Sequence, residues 1–239
     1  MVRERIAQAA TRAGRDPAGI TLVAVSKTQP AELVRAAAAA GQLVFGENRI
    51  EEAQGKMLAL DEVSGLEWHM IGHVQSRKAR EAAGAGFVLI HSVDTLKLAE
   101  RLGQFARAAG RRQRVLLEIN VSGEVSKAGF RAETREQWAA LLPSLKQAAG
   151  TAGLHVQGLM TMAPQTMEPA LARPFFERLR ELSEYLAEQA VLGPAPVLSM
   201  GMSDDFEAAI EAGATMVRIG RAIFGERDEQ LAKRGQPKE

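Results

Sequence analysis

The chain predicts an α/β fold, a single (β/α)8 TIM barrel, and three observations carry that expectation. Eight short apolar segments recur along the sequence, with helical patterns between them. The first, around Leu22-Val23-Ala24-Val25, is apolar at consecutive rather than alternate positions. That is the pattern of a strand buried on both faces of a parallel sheet. No Gly-x-Gly-x-x-Gly follows it, which counts against the alternative, a doubly wound open sheet.

A helical pattern over 3–13 opens the chain, and the first strand is expected over 21–26. Pro30 stands just before the next helix, 31–40, where proline is tolerated. The alanine-rich end of that helix, Ala36 to Ala40, suits close packing on a sheet. Strands over 43–46, 67–71 and 87–90 then alternate with helices over 47–60, 75–83 and 94–109. The pattern continues with strands over 114–119, 154–158, 196–199 and 215–219 and helices over 133–149, 170–190 and 204–212. Pro169 marks the start of one of these helices, and Ser203-Asp204-Asp205 supplies a capping residue and acids for another. Four helices end on Ala-Gly pairs: Ala40-Gly41, Ala83-Gly84, Ala149-Gly150 and Ala212-Gly213. Glycine there is expected to take the left-handed conformation that closes a helix. Twenty residues follow Ile219, so the eighth helix is short, and the helix at 3–13 is expected to cover the gap.

Composition fits one globular domain spanning residues 1–239, with 46% hydrophobic and 25% charged residues. The net charge of +1 gives no general electrostatic reason to bind nucleic acid or an anionic membrane. No segment has the length or apolarity of a membrane span, and the N-terminus lacks the apolar core of a signal peptide. The chain has no cysteine, which excludes disulfides, thiolate nucleophiles and cysteine-based zinc sites. A cytoplasmic protein is the natural expectation.

In such a barrel the C-terminal ends of the strands converge on one mouth, where the fold keeps its chemistry. Lys27 is the first charge after the first strand. A lysine partly desolvated at that place can lose its proton and attack a carbonyl. Across the mouth, the loops after strands seven and eight read Ser199-Met200-Gly201-Met202-Ser203 and Ile219-Gly220-Arg221-Ala222. Both are small enough for backbone N–H groups to approach an oxyanion, with a hydroxyl from Ser199 and charge from Arg221. An amine facing a phosphate cradle suits a ligand with an aldehyde at one end and a phosphate at the other. Pyridoxal 5′-phosphate (PLP) is such a ligand.

These segments resemble a known family. Val25-Ser26-Lys27-Thr28, Phe45-Gly46-Glu47-Asn48, Trp68-His69-Met70-Ile71-Gly72, Ser126-Lys127-Ala128-Gly129, Gly158-Leu159-Met160, Leu198 to Asp205 and Met216 to Gly225 are similar to the pyridoxal phosphate homeostasis proteins. That family is a branch of the barrels that resemble the alanine racemase N-terminal domain, and the resemblance runs from about residue 20 to 225. It implies that Lys27 carries the cofactor as a Schiff base and that Arg218 faces the pyridine nitrogen. It further implies that Ser199, Gly220 and the backbone near Arg221 hold the phosphate, and that Asn48 and Met160 line the pocket. The sequence departs from the family pattern at His73, Val74 and Arg77 in a peripheral loop, and at Arg221, where threonine is common.

The implied role is storage, buffering or delivery of PLP by a monomer, with apo-forms of PLP enzymes as recipients and little or no catalysis. A PLP-dependent amino-acid racemase is the alternative, and a Schiff-base aldolase is a more distant one. Racemisation needs acid–base groups on both faces of the substrate carbon. In the racemase relatives the second group is a tyrosine from a further, all-β domain, which is not expected in this chain. The single tyrosine, Tyr185, lies in a helical pattern with Leu182 and Leu186. Arg218 would also leave the pyridine nitrogen unprotonated, which weakens the electron sink. No metal site is expected from His69, His73, His91 and His155. Trp68 and Trp138 are read as packing residues, and Arg111-Arg112-Gln113-Arg114 as a solvated loop on the face opposite the mouth.

Overall fold

The apolar segments do become strands, and their hydrogen bonding closes on itself. This computed structural model describes residues 1–164 and 168–226; the end of the expected domain, 227–239, lies outside the described residues. In chain order the strands are β1 (Thr21–Val25), β2 (Val44–Glu47), β3 (Glu67–Met70), β4 (Leu89–Val93), β5 (Gln113–Asn120), β6 (Phe130–Arg131), β7 (Leu154–Met160), β8 (Val197–Ser199) and β9 (Met216–Ile219). Pairing runs β1-β2-β3-β4-β5-β7-β8-β9 and returns from β9 to β1, parallel throughout. Eight strands therefore form a closed barrel with no free edge. The two-residue β6 adds to the upper end of β5 through Ile119 and Phe130. It was not expected, because two residues are too few to show periodicity.

The helices are α1 (Val2–Arg12), α2 (Ala31–Ala39), α3 (Ile50–Ala59), α4 (Ala79–Gly84), α5 (Leu96–Ala108), α6 (Arg135–Ala149), α7 (Pro169–Glu188), α8 (Phe206–Glu211) and α9 (Arg221–Phe224). Helix α9 is a single turn, and α1 docks beside α8. Arg5 and Arg12 pair with Glu207 and Glu211 at 2.9 Å, and the Arg5 guanidinium lies over the Phe206 ring. This is the covering role expected of the N-terminal helix.

Two cores result from the strand period of two. Outward residues such as Leu22, Ala24, Phe45, Met70, Leu117 and Ile219 join the helices in one large core. Inward residues form a second, separate one: Val23, Leu89, Leu116, Met160 and Met216, with Val44 and Val197 against them. Trp68 is buried against Phe45, and Trp138 lies under Tyr185 with its indole N–H donated to the Ala132 carbonyl. The packing role expected of both tryptophans holds.

Several local expectations need correction. Gly41 and Gly213 adopt positive φ, but Gly84 ends inside α4 and Gly150 stays right-handed at φ −79°. The left-handed residues fall later, at Gly86 and Gly153, because the chain makes further turns before the next strand. The expected helix 75–83 divides into a 3-10 turn (Ser76–Lys78) and α4. Helix α8 starts at Phe206 with no side-chain cap. Asp205 instead accepts from the backbone N–H of Met202. The strand expected over 87–90 runs on to Val93 through His91 and Ser92, whose polarity hides a fully buried strand.

Two glycines offer a contrast that tests this packing. A Cβ on Gly158 would stand 2.0 Å from the Val197 carbonyl oxygen in the β7–β8 ladder, whereas one on Gly55, exposed in α3, would meet nothing. Gly55→Ala should raise stability by about 0.5–1 kcal/mol through helix propensity. Gly158→Ala should lower it by several times that, both read from urea denaturation midpoints.

Candidate functional site at the barrel mouth

Above the interior apolar layer the same strands turn polar. Two residues beyond Leu89, Leu116, Val197 and Met216 stand His91, Glu118, Ser199 and Arg218, all buried. Arg218 donates to the Ser199 hydroxyl at 2.6 Å and to the Thr161 carbonyl at 3.0 Å. The Ser199 hydroxyl also lies 2.9 Å from Nδ1 of His91, and Nε2 of His91 lies 3.0 Å from Nδ1 of His69. Strands β4 and β8 do not pair, so this chain crosses the interior of the barrel.

Burial sets the charges along it. His69 is pushed down to about 4, and His91 is pushed well below the usual histidine range by burial, with His69 and Arg218 adding to the effect. Both rings are therefore neutral near pH 7. Burial lowers Arg218 to about 10, opposed by the carboxylates of Glu118 and Asp205, so it remains a guanidinium. Burial and then the nearby Asp94 raise Glu118 to about 7, against the pull of Arg218. Asp94 reaches the rim, where it pairs with the exposed His73 at 3.1 Å.

The rim itself is built from tight loops. Gly201 has φ +93°, and a Cβ there would press on Ala209 and Phe206 of α8, so only glycine lets this loop lie down on the helix. Its carbonyl accepts from the Arg218 backbone N–H at 3.0 Å. The Ser203 hydroxyl is 3.4 Å from the Ala222 N–H, which joins the loop after β8 to the loop after β9. Gly72 follows β3 in close contact with Asn48: a Cβ would fall 2.3 Å from the Asn48 carbonyl oxygen.

Each residue expected at the site can now be placed. Lys27 is half-buried just past the end of β1, in a turn. Asn48 is half-buried just past β2, and its Oδ1 is buried without a hydrogen-bond partner among the described residues. Gly220 stands at the start of α9 against Val25. Arg221 is exposed and ion-paired with Asp204. Met160 lies deeper, in the interior apolar layer. Ser199 is also deeper than expected: its hydroxyl is committed to Arg218 and His91, and Ser203 is the hydroxyl that bridges the two rim loops. His91 and Glu118 were not expected in the site. The signal was available in the i, i+2 spacing of Leu89 to His91 and Leu116 to Glu118, which puts a polar group above an apolar one on the same face. The basic cluster is only partly the solvated loop expected: Gln113 and Arg114 open β5, Gln113 is buried, and Arg112 donates to the Leu154 carbonyl.

Fold and mouth together define a parallel barrel of the racemase type, with a lysine after the first strand and a buried arginine on the last. A family model described as "Alanine racemase, N-terminal domain" matches residues 1–228. The pyridoxal phosphate homeostasis protein of Pseudomonas aeruginosa is 48% identical over 227 residues, covering 95% of this chain and 93% of the relative. That of Escherichia coli K12 is 43% identical over 230 residues, covering 95% and 94%. PipY of Synechococcus elongatus PCC7942, solved with PLP bound, superposes with a TM-score of 0.79 at 37% identity, covering 94% of this chain and 100% of that one. The chain belongs to the pyridoxal phosphate homeostasis protein family.

The elevated Glu118 has a measurable consequence. Between its ordinary value of 4.5 and its folded value of about 7, the folded protein binds the extra proton. The associated stability is fully present below pH 4.5 and is lost as pH rises through 7, on the order of 3 kcal/mol in all. Glu118→Gln should flatten the fall in urea stability between pH 5 and pH 8.

Proposed function

We propose that this chain binds pyridoxal 5′-phosphate at the barrel mouth through Lys27, and that it stores, buffers or delivers the cofactor inside the cytoplasm with little turnover of its own. The observation that carries the reading is the pairing of β1 with β9. It sets the strand that leads to Lys27 directly beside the strand that holds the buried Arg218. The residues present fit the cofactor. Asn48 offers a buried oxygen that lacks a partner among the described residues, and Gly201, Gly220 and Ser203 form an open rim of backbone and hydroxyl groups.

When bound, PLP supplies an aldehyde that condenses reversibly with an amine. Lys27 provides that amine at the mouth. Arg218, held by Ser199, Thr161 and the charges of Glu118 and Asp205, presents a donor to the pyridine nitrogen. The rim loops at 199–203 and 219–221 receive the phosphate through backbone N–H groups and Ser203, and Ser199 acts from below by orienting Arg218. Asn48 lines the wall, and Met160 supports the floor. Arg221, paired to Asp204 and exposed, contributes little. Apo-forms of PLP enzymes are the recipients in this reading, and the chain acts as a monomer.

Racemisation would need a second acid–base group opposite Lys27. Tyr185, the one tyrosine in the sequence, packs on Trp138 in the outer helices with ring centroids 6.0 Å apart. Holo-protein in deuterated water should therefore exchange the α-proton of L- or D-alanine far more slowly than about 1 per second, an ordinary enzyme rate. Rapid exchange with inversion would establish the racemase reading instead. Lys27→Ala should abolish borohydride trapping of PLP. Pyridoxal lacking the phosphate should bind at least tenfold more weakly, since charge-assisted hydrogen bonds are worth roughly 1.5–3 kcal/mol each. Equal affinity for the two forms would remove the rim from the site.

A further inference from the structure

The residue after Lys27 is strained. Thr28 has φ +65°, one of two non-glycine residues with positive φ among the described residues. A β-branched side chain is the least suited to that region. Thr28 occupies the third position of a turn closed by the Gln29 N–H donating to the Ser26 carbonyl at 3.0 Å. Left-handed backbone at that position ordinarily calls for glycine or asparagine. Lys27 is the second residue of the same turn, so the conformation of Thr28 fixes the direction from which the Lys27 side chain departs.

The neighbouring elements grip this turn by its backbone. Glu52, on α3, accepts the Thr28 N–H at 2.5 Å. Lys56, one helical turn further along α3, donates to Glu52 and to the Ser26 carbonyl at 2.7 and 2.6 Å. It also donates at 2.7 Å to Glu47, which in turn accepts from the Ser26 hydroxyl at 2.7 Å. Glu47 is fully buried and Lys56 nearly so. A buried ion pair is a poor source of stability compared with apolar packing of the same volume, and its best-attested use is to enforce one arrangement over others. Here the enforced arrangement is the turn that carries Lys27: the three charged side chains reach the Ser26 carbonyl, the Ser26 hydroxyl and the Thr28 N–H.

We propose that Glu52, Lys56 and Glu47 form a clamp that holds the Ser26–Gln29 turn in its strained conformation and thereby positions the Lys27 amine for the aldehyde of its ligand. The proposal rests on the reading of Lys27 as the cofactor anchor. The three clamp residues are positioning residues; they touch the turn and not the ligand.

The test exploits the strain. Glycine adopts positive φ without cost, so removing the side chain of Thr28 should make the clamp dispensable. PLP affinity by absorbance titration, and the yield of borohydride-trapped Lys27 by peptide mass, are measured for wild type, Glu52→Ala, Thr28→Gly and the double variant. Glu52→Ala should weaken binding by about tenfold or more, as expected when a reacting group loses its orientation. The double variant should recover most of that loss. Unchanged affinity in Glu52→Ala overturns the proposal, and so does a loss that Thr28→Gly fails to rescue. Amide hydrogen exchange of the apo-protein gives a second readout that needs no ligand and no stable Ala variant. Glu52→Gln, which lacks the charge that holds Lys56, should speed exchange in the segment containing Thr28 while the barrel strands keep wild-type protection; unchanged exchange there also overturns the clamp. Lys27→Ala separates the two ideas. If that variant traps PLP as well as wild type, the anchor assignment fails, whereas the exchange result reports on the clamp regardless.

Discussion

A guanidinium inside a barrel is the constraint from which the upper half of this structure follows. Taking a charge that size out of water costs several kcal/mol unless hydrogen bonds and counter-charges offset it. Arg218 therefore needs acceptors, and the fold supplies the Ser199 hydroxyl and the Thr161 carbonyl in contact, with Glu118 and Asp205 near enough to favour the charged form. Each of these carries the constraint outward. Ser199 lies against His91, which lies against His69, and all three are buried. Asp205 accepts from Met202, which shapes the loop after β8. Glu118 faces Asp94, which reaches His73 at the surface. One buried cation thus links a polar chain across the barrel interior to two places on its rim.

The layering explains what could be read from the sequence. Strands β1 and β5 were legible because residues buried on both faces leave a run of apolar letters, and that holds wherever the interior layer is Val23, Leu89, Leu116, Met160 or Met216. It fails one step higher. His91, Ser92 and Glu118 are as buried as the apolar residues before them, yet they read as surface. Strand β4 was for that reason ended too early. Burial of a polar group depends on a partner from a distant strand, and Ser199 for His91 lies 108 positions away. Asp205 was legible as an acid near a helix start but not as the acceptor for Met202, since a cap and a loop clasp use the same residue types. Lys27, Asn48, Arg218 and Gly220 were legible because each follows or ends a strand, and a closed parallel barrel gathers all strand ends at one place.

Two lysines near that place illustrate how the environment divides roles. Lys56 has all three of its N–H donors committed, to Ser26, Glu47 and Glu52, within a nearly dry pocket between β2 and α3. No direction is left from which it could approach a carbonyl carbon. Lys27 stands on the turn that Lys56 grips and is only half-buried. The charge network that fixes Lys56 as a structural cation also holds the turn of Lys27, so on the proposed reading the reactive role falls to Lys27.

The central cation bears on what a bound cofactor could do. PLP catalysis at an amino acid's α-carbon draws electrons toward the pyridine ring, and the draw is strongest when the ring nitrogen carries a proton. A guanidinium held at about 10 gives up no proton near neutrality. A ring nitrogen facing it would accept a hydrogen bond and stay unprotonated, and a carbanion beside the ring would be poorly stabilised. Exchange of one amine for another at the aldehyde needs no such carbanion. On the proposed reading, the interaction that organises the barrel interior would favour exchange of the cofactor between amines and would add nothing to the electron sink on which transformation of an amino acid draws.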